Sequence, residues 1–142
     1  MSDRLGFTVM LASIAGLPAF LGYLIGALFL VGVYCYAYQQ VTTHSELDLI
    51  RANVPAAGVS FGLALIGFAV PLSSAMRYSS NIWDMMIWGV IAMIVQIMVY
   101  YLVRLIMPDL SARIERNEFG AALYVGAASI AAGILNATAM SY

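Results

Sequence analysis

Residues 53–76 read NVPAAGVSFGLALIGFAVPLSSAM, and residues 117–140 read NEFGAALYVGAASIAAGILNATAM. Laid over one another sixty-four residues apart, the two stretches match at Asn53/Asn117, Ala57/Ala121, Gly62/Gly126, Ala64/Ala128, Ile66/Ile130, Ala75/Ala139 and Met76/Met140, with Ser74 opposite Thr138. The echo continues upstream at Ile50/Ile114, Tyr36/Tyr100 and Val31/Val95. A fixed period of this kind marks one supersecondary unit used twice. Each copy is apolar over the roughly 20 residues that a bilayer core requires. The pattern predicts an all-α integral membrane protein: four transmembrane helices forming a tandem parallel repeat of two-helix units, joined by short interfacial amphipathic helices. A single membrane domain is expected over residues 1–142, with one repeat at about 16–76 and the other at about 80–140.

Composition agrees. The chain is 63% hydrophobic and 9% charged, where a soluble domain carries about 25% charged residues. All six basic residues are arginines and the net charge is −1. No clustered basic face is available to neutralise phosphates, which argues against nucleic acid. The single cysteine, Cys35, excludes an intrachain disulfide and reads as a small buried hydrophobe. A removable signal peptide is not expected, because the apolar run that starts at Phe7 continues to Tyr38.

Working outward, Gly16 and Pro18 should divide that first run into a short interfacial or bent helix and a span at about 18–40. Gly22 and Gly26 suit close helix approach, and Tyr34, Tyr36 and Tyr38 suggest an aromatic belt. Ser45 and Asp48 resemble a capping box. Leu47, Ile50 and Val54 then outline an interfacial helix, as Leu110, Ile114 and Phe119 do in the second copy. His44 beside Glu46 and Asp48 is a weak metal signal. Span two, about 54–76, carries Gly58 and Gly62 as a second small pair and Pro71 in its interior. Pro71 removes the partner of the Gly67 carbonyl, and Ser73 and Ser74 are expected to help satisfy the freed groups. Span three, about 84–107, is marked by Trp83 and Trp88 at its start and Tyr100 and Tyr101 at its end, and is rich in methionine. Span four, about 119–141, is so poor in side-chain volume that it should be the most enclosed.

Arg4 and Arg77 fall on one side of such a bundle, and Arg51, Arg104, Arg113 and Arg116 on the other. The excess places the 41–53 and 108–118 loops in the cytoplasm and both termini outside. Since each repeat holds an even number of spans, the copies insert with the same sense.

Few groups at depth can do chemistry. Gln96, near the midpoint of span three, is either a pore-lining amide or an interhelical hydrogen bond that sets packing. Asn136 shares a stripe with Ala122, Gly126, Ser129 and Gly133, and reads as helix glue or as the wall of a solvated lumen. Asn53 and Asn117 read as N-caps of spans two and four. No acidic or basic residue sits deep in a span, which counts against an ion-coupled pump.

In the segment FGLALIGFAVPLSSAM and the closing NEFGAALYVGAASIAAGILNATAMSY, the chain resembles the domain-of-unknown-function 350 family of bacterial inner-membrane proteins, the YjfL-like group. The likeness extends over roughly residues 16–142. The resemblance implies a bacterial inner-membrane location and two tandem two-helix units, and it carries over no catalytic residue. It also implies the company of phage-shock-protein-A-like and glutathionylspermidine-synthase-like proteins, hence a link to envelope stress or polyamine physiology.

The expected function is therefore a non-enzymatic membrane component without cofactor. It would recruit or respond to a peripheral partner, a phage-shock-protein-A-like one being the first candidate, through a cytoplasmic face containing Arg51, Arg113 and Arg116. The alternative is a small homo-oligomeric channel or transporter for ions or small solutes, lined by Gln96, Asn136, Thr138, Ser129, Ser73 and Ser74. Small-residue seams on three spans suggest self-association in either case.

Overall fold

The computed structural model describes residues 1–43 and 45–141. Among them the order is α1 Ser2–Ala15, α2 Leu17–Val41, α3 Glu46–Arg51, α4 Pro55–Tyr78, α5 Ile82–Ile106, α6 Leu110–Glu115 and α7 Phe119–Met140, with no strand. Four segments are long and apolar enough to cross a membrane: Ser2–Val41, α4, α5 and α7. This is an all-helical, multi-pass membrane architecture. The long–short–long order of α2–α3–α4 recurs in α5–α6–α7.

Gly16 keeps near-helical angles (φ −81°, ψ −9°), and its carbonyl still accepts from the Phe20 N–H at 3.1 Å. α1 and α2 thus form an almost continuous apolar rod of 40 residues. At 1.5 Å per residue it is about 60 Å long, twice a hydrocarbon core of about 30 Å. No residue of α1 is buried. Pro18 occupies the first turn of α2, where its missing N–H costs nothing.

α4 stands at the centre and packs most extensively on α7, then on α5, α3 and α2. Half of its central window is buried against a third for α5 and α7, so α4, not α7, is the most enclosed span. The reason is position: α7 has one face on α4 and α5 and leaves Ile134 and Leu135 outward.

Glycine makes the α4–α7 contact possible. A Cβ on Gly67 would lie 2.6 Å from the Ser129 carbonyl oxygen, and one on Gly133 would strike the Gly67 carbonyl. A Cβ on Gly126 would come within 2.6 Å of Leu63 Cβ. Gly26 similarly admits the Met85 side chain of α5. Gly58 and Gly62 differ, since nothing among the described residues comes within 4 Å of where their Cβ would stand. Their face is open.

The other half of the core is aromatic. Tyr34 stacks on Phe68 at 4.5 Å, while Tyr38 meets Phe61 and Tyr100 at 5.5 Å each, joining α2 to α4 and α5. The expected belt of three tyrosines on α2 is therefore divided. Tyr34 and Tyr38, four residues apart on one helix face, are fully buried, and Tyr36 is the one that faces out.

The asparagine pair corrects a second expectation. Asn53 and Asn117 adopt left-handed angles, φ 61° and 60°, and the N-caps of α4 and α7 are Val54 and Glu118 instead. The Asn53 and Val54 N–H groups bond back to Ile50 and Leu49, as those of Asn117 and Glu118 do to Ile114 and Arg113. Both asparagines thus close the preceding short helix in the same Schellman geometry. Ser45 does not form a capping box either. Its hydroxyl donates to the Asp48 carboxylate at 2.8 Å, and no side chain caps α3.

Candidate functional site

The polar side chains singled out in the sequence separate into three places. The first lies mid-bundle. Gln96, 1% exposed, projects from α5 into the α4–α7 crossing, where its Nε2 donates to the carbonyls of Gly67 at 3.0 Å and Ser129 at 3.1 Å. Pro71 has no N–H to give Gly67, so α5 satisfies the carbonyl that α4 cannot. Ser73 and Ser74 do not fill this role, contrary to expectation. Ser73 Oγ bonds the Val70 carbonyl at 2.7 Å, and Ser74 Oγ reaches across to Ala137 O on α7 at 3.0 Å. Ser129 Oγ turns back to Val125 O. Three helices therefore meet at one amide.

A second place opens at the far end of α4 and α7, a cleft of about 230 Å³ lined by Val70, Ser73, Ser74, Arg77, Tyr78, Ala137, Thr138 and Ser141. Its four aliphatic hydroxyls all donate to backbone carbonyls: Ser73 and Ser74 as above, Thr138 to Ile134 and Ser141 to Thr138. What remains on offer is the Arg77 guanidinium, hydroxyl lone pairs and two helix C-terminal ends, whose dipoles oppose an anion. Such a mixture suits water and zwitterionic headgroups better than a tightly held anion. Asn136, one turn earlier on α7, is half-buried, and its amide nitrogen makes no hydrogen bond.

The third place is the opposite end, where α3 and α6 lie. Arg113 bonds Asp109 at 2.9 Å, and Arg116 bonds Glu118 at 2.8 Å. Arg113 also stands 3.7 Å from Glu118. The hydrogen bond from Arg113 holds the Asp109 carboxyl below its ordinary range. The two arginines are thus already matched by carboxylates in pairs that are exposed and individually weak. Arg51 is exposed at the end of α3. Asn117 ties the short helices to the bundle, its Oδ1 accepting from the Ala56 N–H in the first turn of α4 at 3.0 Å.

This end also holds a group that the sequence offered only as a neighbour of His44 in a weak metal signal. Glu46, in the first turn of α3, is fully buried. Among the described residues no group of three or more histidine, cysteine or acidic side chains could hold a metal ion, and His44 lies outside the described residues.

Comparison with known proteins now places the chain. The model of the family described as Domain of Unknown Function (DUF350) matches residues 11–140. The chain belongs to the DUF350 family. It is 37% identical over 126 residues to the UPF0719 inner membrane protein YjfL of Escherichia coli strain K12, covering 89% of this chain and 96% of that one. The protein of the same name in Escherichia coli O157:H7 matches to the same extent. No solved structure matches. DUF350 membership and four apolar helices agree with a multi-pass membrane protein.

Proposed function

We propose that this DUF350 protein is a non-enzymatic inner-membrane component that recruits or responds to a peripheral partner at the end of the bundle formed by α3 and α6. The observation that carries the reading is the state of Gln96. This buried side chain gives both amide hydrogens to backbone carbonyls of its own chain. An amide whose donors are used in this way supports packing between helices. The partner surface would combine Arg51 with the paired Arg113 and Arg116. Mixed charge of this kind favours a partner chosen by geometry over one attracted by net charge.

In this reading the two halves form a parallel tandem repeat, α3 and α6 lie among cytoplasmic headgroups, and both termini are periplasmic. The open Gly58–Gly62 face favours a homo-oligomer, because small residues without an internal neighbour allow a second backbone to approach. The family resemblance makes a phage-shock-protein-A-like protein the first partner to test, within envelope-stress or polyamine-linked physiology. The second reading, a homo-oligomeric channel, is favoured by Asn136 and Gln96, whose Nδ2 and Oε1 respectively have no hydrogen-bond partner among the described residues.

One experiment separates the two. Ion and polyamine flux would be measured in proteoliposomes with wild type, Gln96→Leu and Asn136→Leu. A recruiting component gives no flux, together with partner recovery from native membranes that is lost when Arg51, Arg113 and Arg116 are replaced. Flux that collapses in Asn136→Leu would establish the channel instead.

A further inference from the structure

Two cavities share a wall at the end of the bundle where α4 stops and α5 begins. The larger is the cleft beside Arg77. The smaller, of about 30 Å³, is lined by Ser74, Tyr78, Ser79, Asp84, Trp88 and Met140, so Ser74 and Tyr78 border both. A volume of that size admits one group about as large as a water molecule. Arg77 and Tyr78 stand in the last turn of one apolar span, and Asp84 stands in the first turn of the next. Both cavities therefore lie at headgroup depth, where tyrosine and tryptophan are at home.

Each cavity carries one charge, and the signs are opposite. Arg77 borders the cleft and Asp84 the smaller space, yet they form no ion pair. Among the described residues the ion pairs are those of Arg113 and Arg116. Asp84 Oδ2 accepts from the Ser80 N–H at 2.9 Å, which leaves Oδ1 without a hydrogen bond among the described residues. Ser79 Oγ, in the wall of the same cavity, is buried and makes none either. Asp84 also suits the positive end of α5. That accounts for the carboxylate, but not for the cavity beside it or the unused hydroxyl.

Dipoles sort the two charges. α4 and α7 both end here, and their negative ends favour a cation. With the Asp84 carboxylate, the Ser79 hydroxyl and the Trp88 ring, the smaller cavity suits an ammonium group. In the cleft, the hydroxyl protons of Ser73, Ser74, Thr138 and Ser141 are already given to carbonyls. Donation to an anion falls to Arg77, whose long side chain can hold a phosphate beyond the α4 end.

We propose that the two cavities together bind the headgroup of one zwitterionic aminophospholipid, with its phosphodiester on Arg77 and its primary ammonium in the Asp84 cavity. A lone anion would meet two negative helix ends with nothing to offset them. A lone cation would leave Arg77 unused. A primary ammonium offers N–H donors to Asp84 and Ser79, which a quaternary one lacks. The site depends neither on the peripheral partner nor on which side of the membrane this end faces.

The test uses the purified full chain in detergent. Its thermal midpoint is followed while short-chain phosphatidylethanolamine, phosphatidylcholine or phosphatidylglycerol is titrated in. A fourth arm uses glycerophosphoethanolamine, the same headgroup without acyl chains. A ligand that binds only the native state raises the midpoint saturably. Phosphatidylethanolamine should do so at a half-saturating concentration about ten-fold below the other two lipids, and glycerophosphoethanolamine should give no shift over the same range. Asp84→Asn should weaken phosphatidylethanolamine about five-fold and leave phosphatidylglycerol unchanged. Arg77→Gln should weaken both lipids alike. The order of the three lipids is read on the wild type, so it decides the matter even where a variant fails to fold. Equal responses to the three lipids, a phosphatidylethanolamine preference that survives in Asp84→Asn, or a glycerophosphoethanolamine response equal to that of the lipid would overturn the proposal.

Discussion

Gln96 on α5 donates to the carbonyl of Gly67 on α4, the group that Pro71 leaves without an intrahelical partner. A proline inside a helix and a buried amide, each unfavourable alone in a membrane helix, compensate one another here. The pair predicts strong coupling. Gln96→Leu should destabilise the protein by about 1–3 kcal/mol, because it strands a buried carbonyl. In a Pro71→Ala background, where an N–H again serves Gly67, the same change should cost roughly 1 kcal/mol less. A double-mutant cycle of unfolding in micelles measures the difference, and strict additivity would refute the coupling.

The glycines separate by neighbour. Gly133→Ala drives a methyl into the Gly67 carbonyl and should cost about 1–3 kcal/mol. Gly126→Leu and Gly133→Leu should destabilise more than Leu30→Ala, because they force a pair of close-packed backbones apart. Gly62→Ala meets nothing within the chain and should be neutral, or stabilising by a few tenths of a kcal/mol through helix propensity. Equal melting curves for Gly62→Ala and Gly133→Ala would rule out the close crossing.

Asn53 and Asn117 share a backbone conformation and differ in their side-chain work. Glycine keeps the left-handed turn in both. Asn117→Gly also loses the acceptor for the Ala56 N–H and should cost about 1 kcal/mol. Asn53→Gly should be close to neutral. Thermal melts of the two variants side by side check this.

Asp109 should titrate below the ordinary 3.8 because Arg113 bonds its carboxylate, and Arg113→Gln should return it toward that value. A carboxyl with a lowered folded value contributes stability that is present above the unfolded value. The contribution is lost as pH falls through the folded one. The window is therefore acidic, below 3.8, and the group is fully exposed, so melting at neutral pH should not respond. Carboxyl chemical shifts against pH, wild type beside Arg113→Gln, provide the measurement.

Orientation has its own test. A reporter active only in the cytoplasm, fused to the C-terminus, should stay silent if the arginine asymmetry sets topology. A strong signal would reverse the sides.

Much of this architecture was legible beforehand. The four apolar segments, the carbonyl freed by Pro71 and the seam at Gly126 and Gly133 all follow from local chemistry, whereas the division expected at Gly16 is slight. What escaped was three-dimensional pairing. The carbonyl of Gly67 could be named as deprived from sequence, but a partner 29 residues away on another helix could not. Asn53 and Asn117 were visible as equivalent, yet the choice between starting one helix and ending another depends on a φ angle. Glu46 looked like a member of a polar loop because its neighbours are polar. Only the packing of α3 on α4 reveals that it is buried.

The amide bridge also has a temporal side. Until α5 packs beside α4, the Gly67 carbonyl lacks both the N–H that Pro71 cannot supply and the Gln96 amide. Gln96 arrives one helix later, and α7, whose Ser129 carbonyl shares the same amide, later still. Insertion of α4 is thus incomplete as a solitary event. The chain gains by delivering α4 and α5 as a hairpin across the short 79–81 connection.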